Sequence, residues 1–296
     1  MRCRVCRGAA AIEVRRHNAA FCRDHFIEHV RRQVARTIHD YHMFEPEDRL
    51  AIGVSGGKDS LALWDILHHL GYRAEGIHLD LGIGTYSQES IGKVTEFATE
   101  RDLILHPVSL AQDYGFTILE AENATQRPAC SACGLSKRYV LNEEAVKGGY
   151  DALVMGHNLD DEAATLFSNV MGWNVDYLGR QRPVLAASDG LVKKVKPLVR
   201  VAERETAAYA VLSGIDYEIE ECPLAAGNTV NRTKEWMTIL EQASPGIIQH
   251  FLGGFYNLGA DLFDAPSPEL QACSNCGRPT TGALCAFCRL RGRVAS

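Results

Sequence analysis

Short apolar runs alternate with amphipathic stretches through the first half of this chain. Residues 50–54, 74–79, 103–108 and 151–155 are brief and apolar, as strands buried on both faces are. Between them, segments near 59–70, 87–101, 134–147 and 160–170 carry helical spacing. This alternation predicts repeated βαβ units and therefore an α/β, Rossmann-like fold with a parallel sheet covered on both faces. A helix over 28–43 leads into the core, and further helices are expected near 202–213 and 234–243. The stretch 171–198 contains glycines and prolines with few periodic positions, and reads as a long loop or irregular excursion. Pro266-Ser267-Pro268 marks a linker.

The first strand, Leu50-Ala51-Ile52-Gly53-Val54, runs straight into Ser55-Gly56-Gly57-Lys58-Asp59-Ser60 and then a helix-like segment. Two adjacent glycines let the backbone approach an anion, and the helix N-terminus adds partial positive charge. Ser55 and Ser60 can donate hydroxyl hydrogen bonds, and Lys58 supplies a point charge for phosphate. The spacing is wrong for a Walker A loop. It resembles instead the PP-loop of ATP pyrophosphatases, which split ATP into AMP and pyrophosphate to adenylate a substrate.

In open α/β sheets ligands gather beyond the carboxyl ends of the strands. His78, Asp80, Gly82 and Gly84 follow the second predicted strand; Gly156-His157-Asn158-Leu159-Asp160-Asp161 follow the fourth. Asp160 and Asp161 fit helix N-caps, and Asp161 equally fits an acid facing the PP-loop that binds magnesium or manages a proton. Lys137 on a helix surface is either solvated or placed to meet phosphate.

The 10 cysteines fall into three groups. Cys3-x2-Cys6 is followed after 15 residues by Cys22-x2-His25, and Cys273-x2-Cys276 after eight by Cys285-x2-Cys288. Paired knuckles of this kind predict one closed, structural, four-ligand zinc site at each end, with His17 a spare ligand at the first. Cys130, Cys133 and Cys222 remain. Three thiolates can hold a cubane iron–sulfur cluster and leave one iron open. A Cys130–Cys133 redox disulfide, a third zinc site and three unrelated core thiols fit the spacing too.

At 46% hydrophobic and 23% charged residues, the composition is that of an ordinary globular protein. The arginines at 2, 4 and 7 precede no apolar segment, and no run of about 18 apolar residues exists. Neither a secretory signal nor a membrane span is expected, so the chain reads as cytoplasmic. The net charge of −6 argues against indiscriminate polyanion binding, not against an RNA partner met by a local patch.

Taken together, the zinc knuckle, SGGKDS, CSACGLSKR, GHNLDDEA, ECP and the C-terminal knuckle resemble the TtuA family of tRNA 2-thiouridine synthetases, from Cys3 through Cys288. The resemblance implies a PP-loop ATP pyrophosphatase domain over 28–264, flanked by zinc-finger modules over 1–27 and 265–296. It implies a 4Fe-4S cluster on Cys130, Cys133 and Cys222, two structural Zn2+, and ATP with Mg2+ bound along Ser55–Ser60. Adenine contacts fall near Gly53, Val54, His78 and Gly156, and Lys137, Asp161 and Asp59 are the catalytic candidates. The implied reaction adenylates the C2 oxygen of T-loop 5-methyluridine in tRNA and replaces it with sulfur. The donor is a ubiquitin-like carrier ending in a thiocarboxylate, or sulfide, and the assembly a homodimer. Thiolation of the anticodon wobble uridine is the nearest alternative. Amide-forming adenylation and a non-catalytic zinc-based RNA-binding protein lie further off.

Overall fold

Leu50, Ala51 and Ile52 have no solvent contact, and they lie at the centre of a six-stranded sheet in the computed structural model. Residues 1–125, 128–188, 190–225, 229–263 and 269–295 are described. The expected linker at Pro266-Ser267-Pro268 lies outside them.

An N-terminal hairpin, β1 (Ile12–Val14) and β2 (Ala19–Phe21), precedes α1 (Arg23–Asp40). The core then runs β3 (Leu50–Gly53), α2 (Lys58–His69), β4 (Ala74–Asp80), α3 (Gly84–Glu100) and β5 (Leu105–Ser109). Short helices α4 (Leu110–Tyr114) and α5 (Ile118–Thr125) lead to α6 (Ala129–Lys147), β6 (Ala152–Val154) and α7 (Leu159–Met171). Next come α8 (Val175–Leu178), β7 (Val184–Leu185), β8 (Lys193–Val195), α9 (Glu203–Ser213), α10 (Thr229–Ala243) and α11 (Ile247–Gly254). A second hairpin, β9 (Gln271–Ala272) and β10 (Pro279–Thr280), and α12 (Ala286–Val294) complete the described chain.

The sheet order is β5-β4-β3-β6-β8-β7, parallel except for the β7–β8 pair. The chain moves outward from β3 through β4 to β5, then returns to place β6 on the other side of β3. That reversal opens a crevice beyond the ends of β3 and β6.

The four predicted strands and the helices after them appear within a few residues of expectation. Other expectations are shifted, among them the start of α10, at Thr229 and not near 234. Helix α1 starts at Arg23 because Cys22, in extended conformation, is its N-cap, so the last knuckle of the N-terminal module opens the helix. Helix α6 starts at Ala129, not near 134: Pro128 precedes its first turn, and Ala129 and Ala132 bury their small side chains. The stretch 171–198, expected as a long loop or irregular excursion, is irregular over much of its length but not throughout. It contributes α8, β7 and β8, and β8 pairs with β6 through Lys193↔Ala152 and Val195↔Val154. Lys193-Lys194 interrupts the apolar run, which hid the strand; pairing with β6 makes it one.

Both end modules are welded to the core. Arg16 forms a buried bidentate ion pair with Glu205 of α9, its Nε donating to Oε1 at 2.8 Å. Phe287 of α12 is 2% exposed and stacks on Tyr139 of α6, ring centroids 3.9 Å apart. Phe287→Ala is therefore expected to lower stability by about 3–5 kcal/mol, the range for truncating a buried aromatic, as read by denaturant unfolding. An unchanged midpoint would mean that the C-terminal module does not brace α6.

Candidate functional site

The PP-loop spans the gap between β3 and α2. Gly56 has φ +80°, a left-handed conformation, and a Cβ there would lie 2.8 Å from Ser90 Oγ. Ser90 Oγ donates to the Ser55 carbonyl at 2.7 Å, so α3 braces the loop. Ser60 Oγ accepts from the Ser55 N–H at 3.1 Å and donates to the Gly57 carbonyl at 3.0 Å. Its hydroxyl thus holds the loop in shape from within. The Ser55 side chain is exposed. Gly57, the N-cap of α2, makes no side-chain capping bond, which leaves amide donors of the first turn for a ligand.

A cavity of about 260 Å³ opens beside the loop. Gly53, Val54, Ser55, Gly57, Asp59, Ser60, His78, Lys137 and Gly156, all expected to serve, line it together. Gly156 packs against the start of α2, where a Cβ would approach the Ser60 backbone to 3.2 Å. His78 is 3% exposed; with Nδ1 donating to the Val54 carbonyl at 2.9 Å, buried Nε2 is left without a partner among the described residues. Burial lowers its pKa. A neutral imidazole with a free lone pair is therefore available to accept from a ligand N–H or O–H.

Lys58 and Asp161 lie outside the lining. Lys58 Nζ is 3.0 Å from Asp59 and 2.8 Å from Glu203, and Lys234 Nζ is 2.5 Å from Asp161 and 2.9 Å from Glu203. Burial opposes the charge on both lysines, yet the facing carboxylates outweigh it and raise both pKa values. Asp161 closes a capping box with Asn158, the N-cap of α7, while Asn158 Nδ2 donates to Asp59 Oδ1 at 3.1 Å. Thr206 donates to the same Asp59 oxygen. Glu203, Lys234, Asn158 and Thr206 were not among the expected site residues. Only Asn158 had a signal, its place in the GHNLDD run.

The mid-chain cysteines converge at the edge of this cavity. Cys130 and Cys133 sit one turn apart on α6. The Glu218 N–H donates to the Gly56 carbonyl at 2.9 Å, which docks the 215–222 segment on the PP-loop and delivers Cys222. Burial raises the Cys133 pKa; Lys137 counteracts it, and the Cys222 and Cys130 sulfurs act on it in turn. Lys137 therefore faces both the cavity and Cys133. Tyr86, another lining residue with no sequence signal, stands near Cys222 and Cys133.

Among the described residues, two ligand groups have all their donor atoms within 4.8 Å of one another: Cys3, Cys6, Cys22, His25 and Cys273, Cys276, Cys285, Cys288. Both could hold a metal ion. His17 is not in the first; its Nδ1 meets His29 Nε2 at 3.2 Å. Backbone N–H groups, the one from Cys285 foremost, hold Cys273 down to about 6, ready to ligate as thiolate. Cys130, Cys133 and Cys222 form no such tight set. A multi-iron cluster binds each thiolate to a different iron and needs a wider triangle than one ion does.

Residues 2–27 match the N-terminal LIM domain of 2-thiouridine synthetase TtuA, and residues 26–231 match the PP-loop domain family. A tRNA-5-methyluridine(54) 2-sulfurtransferase from Thermus thermophilus is 45% identical over 98% of this chain and 91% of its own length. The chain belongs to the TtuA family of 2-thiouridine synthetases. A second relative of the same description, from Pyrococcus horikoshii, is 39% identical over 99% of this chain and 94% of its own. Among solved structures, the U34-tRNA thiolase NcsA from Methanococcus maripaludis, described with its [4Fe-4S] cluster, resembles this TtuA-family chain with a TM-score of 0.78. It is 27% identical and the match covers 87% of this chain and 88% of that one.

Proposed function

We propose that this chain is an ATP-dependent sulfurtransferase that converts the T-loop 5-methyluridine of tRNA to its 2-thio form. The observation that carries the reading is the convergence of Cys130, Cys133 and Cys222 on a PP-loop cavity, with Lys137 facing both. The names of the relatives at 45% and 39% identity support position 54 as the target.

The C2 oxygen of a uridine is a poor leaving group until it is phosphorylated. In the proposed reaction that oxygen attacks the α-phosphorus of ATP, a new O–P bond forms, and pyrophosphate departs. The first-turn amides of α2 and the Ser55 hydroxyl would bind phosphate, and neutral His78 would accept a hydrogen bond from the nucleotide. Lys58 would leave Glu203 for a phosphate oxygen, with Asp59 held in place by Asn158 and Thr206. A sulfur nucleophile then attacks C2 and AMP leaves. Lys137 is placed to steady the developing charge, and Asp161, released by Lys234, to take a proton. A 4Fe-4S cluster on the three thiolates would supply an open iron that holds sulfur for this attack.

We further assign two structural zinc ions to the terminal ligand groups, Mg2+ to the ATP phosphates, and a ubiquitin-like thiocarboxylate or sulfide as donor. A homodimer would cover apolar surface such as Leu258 and Leu262, each 80% exposed. The U34 target of the structural neighbour keeps wobble thiolation as the second reading. Mass spectrometry of tRNA nucleosides from cells lacking the gene separates the two. Selective loss of 2-thio-5-methyluridine is expected. Loss of 2-thiolated wobble uridine instead would transfer the assignment to position 34.

A further inference from the structure

Charge is unevenly distributed along this acidic chain. Residues 1–36 carry nine arginines against three acidic residues, although the whole molecule has a net charge of −6. Several of these arginines are consumed internally: Arg16 binds Glu205, and Arg31 meets Asp65 at 3.6 Å. Others are not. The side chains of Arg4 and Arg36 have no hydrogen bond or ion pair among the described residues, and both are exposed. Arg32 has a single 3.5 Å contact with Glu28, with both side chains more than half exposed, a pairing worth little in water.

These three arginines border one groove of about 500 Å³ between the N-terminal module and α1. No carboxylate among the described residues lines it. Gln33 adds an amide, and His17 and His29 meet there. Burial, reinforced by the neighbouring His17, brings His29 down to about 4, so the groove's charge at neutral pH belongs to the arginines. Arg32 and Arg36 lie one helical turn apart, on a helix whose other face is anchored in the core by Phe26, Val30, Val34 and Ile38. The positive row is therefore carried on a rigid helix and is opposed only weakly, by the exposed Glu28.

We propose that this groove is a phosphate-backbone clamp for RNA, gripping the substrate at a distance from the PP-loop cavity. An acidic protein is the less suited occupant. Apart from Val5 the groove offers no exposed large apolar side chain, whereas protein interfaces centre on desolvated apolar anchors. Guanidinium groups match phosphate in charge and in fork geometry. The proposal rests on tRNA being the substrate and adds where its backbone is held.

The test is tRNA binding by the full-length R32Q/R36Q variant across a salt series, beside the wild type and R73Q, an exposed arginine outside the groove. Loss of two phosphate contacts should weaken binding about tenfold at moderate salt and flatten the log–log salt slope by roughly two. R73Q should keep the wild-type slope. Thiolation by R32Q/R36Q should show a raised KM for tRNA with kcat retained. An unchanged slope in R32Q/R36Q overturns the clamp, including when that variant has instead lost affinity for an acidic carrier protein. A wild-type chain that binds no tRNA overturns the clamp and the thiolation reading together.

Discussion

Cys222→Ala is expected to abolish tRNA thiolation, by more than about 100-fold, while binding of ATP and tRNA stays near the wild-type level. Cys222 is brought in by a segment whose Glu218 N–H is hydrogen-bonded to the Gly56 carbonyl, and it lies near enough to Cys133 to act on its charge. Removing its sulfur takes away one corner of the proposed ligand triangle but none of the cavity lining. Iron content of anaerobically purified protein and nucleoside mass spectrometry of the product read the two halves of the prediction. Full activity with iron lost would refute the role given to the cluster. Full activity with iron retained would remove Cys222 from the ligand set.

A second large effect is expected from Gly56→Ala, with Gly57→Ala as its contrast. At Gly56 an added Cβ meets Ser90 Oγ at 2.8 Å and the Ser90 carbonyl at 3.0 Å, on a backbone with φ +80°. A non-glycine residue in that conformation costs about 1–2 kcal/mol before any clash is counted. The loop must then move away from α3, breaking the Ser90–Ser55 hydrogen bond and turning the amides from the cavity. Calorimetric titration should show ATP affinity reduced by at least about tenfold, and thermal unfolding a loss of about 2–3 kcal/mol. Gly57 has φ −77°, and its nearest contact for a Cβ is Ser55 Oγ at 3.5 Å, so Gly57→Ala should leave folding almost unaffected. Equal stability losses in the two variants would show that backbone conformation at Gly56 is not what shapes the loop.

Much of this molecule is determined over short distances in the chain. The apolar runs of β3, β4, β5 and β6 and the spacing between them specify parallel βαβ units, because period and burial are local properties. The knuckles likewise announce themselves, since two ligands three residues apart lie on one turn and the Cys22-x2-His25 spacing selects His25 over His17. The SGGKDS run identifies a phosphate loop because its glycines and helix start are contiguous.

Other features depend on partners far away in the chain. Strand β8 exists through its pairing with β6, which its own Lys193-Lys194 pattern conceals. Ser60 turns inward to brace the loop, and Lys58 rests on Glu203, 145 residues away. Glu203 and Lys234 join the site although nothing in their neighbourhood marks them. Local sequence thus specifies which chemistry is available: a phosphate loop, two knuckles of metal-ligand spacing and three further thiols. Which groups share a cavity, and which neutralise one another, follows from how the elements pack. Side-chain orientation and charge pairing depend on contacts between elements, and no local pattern encodes them.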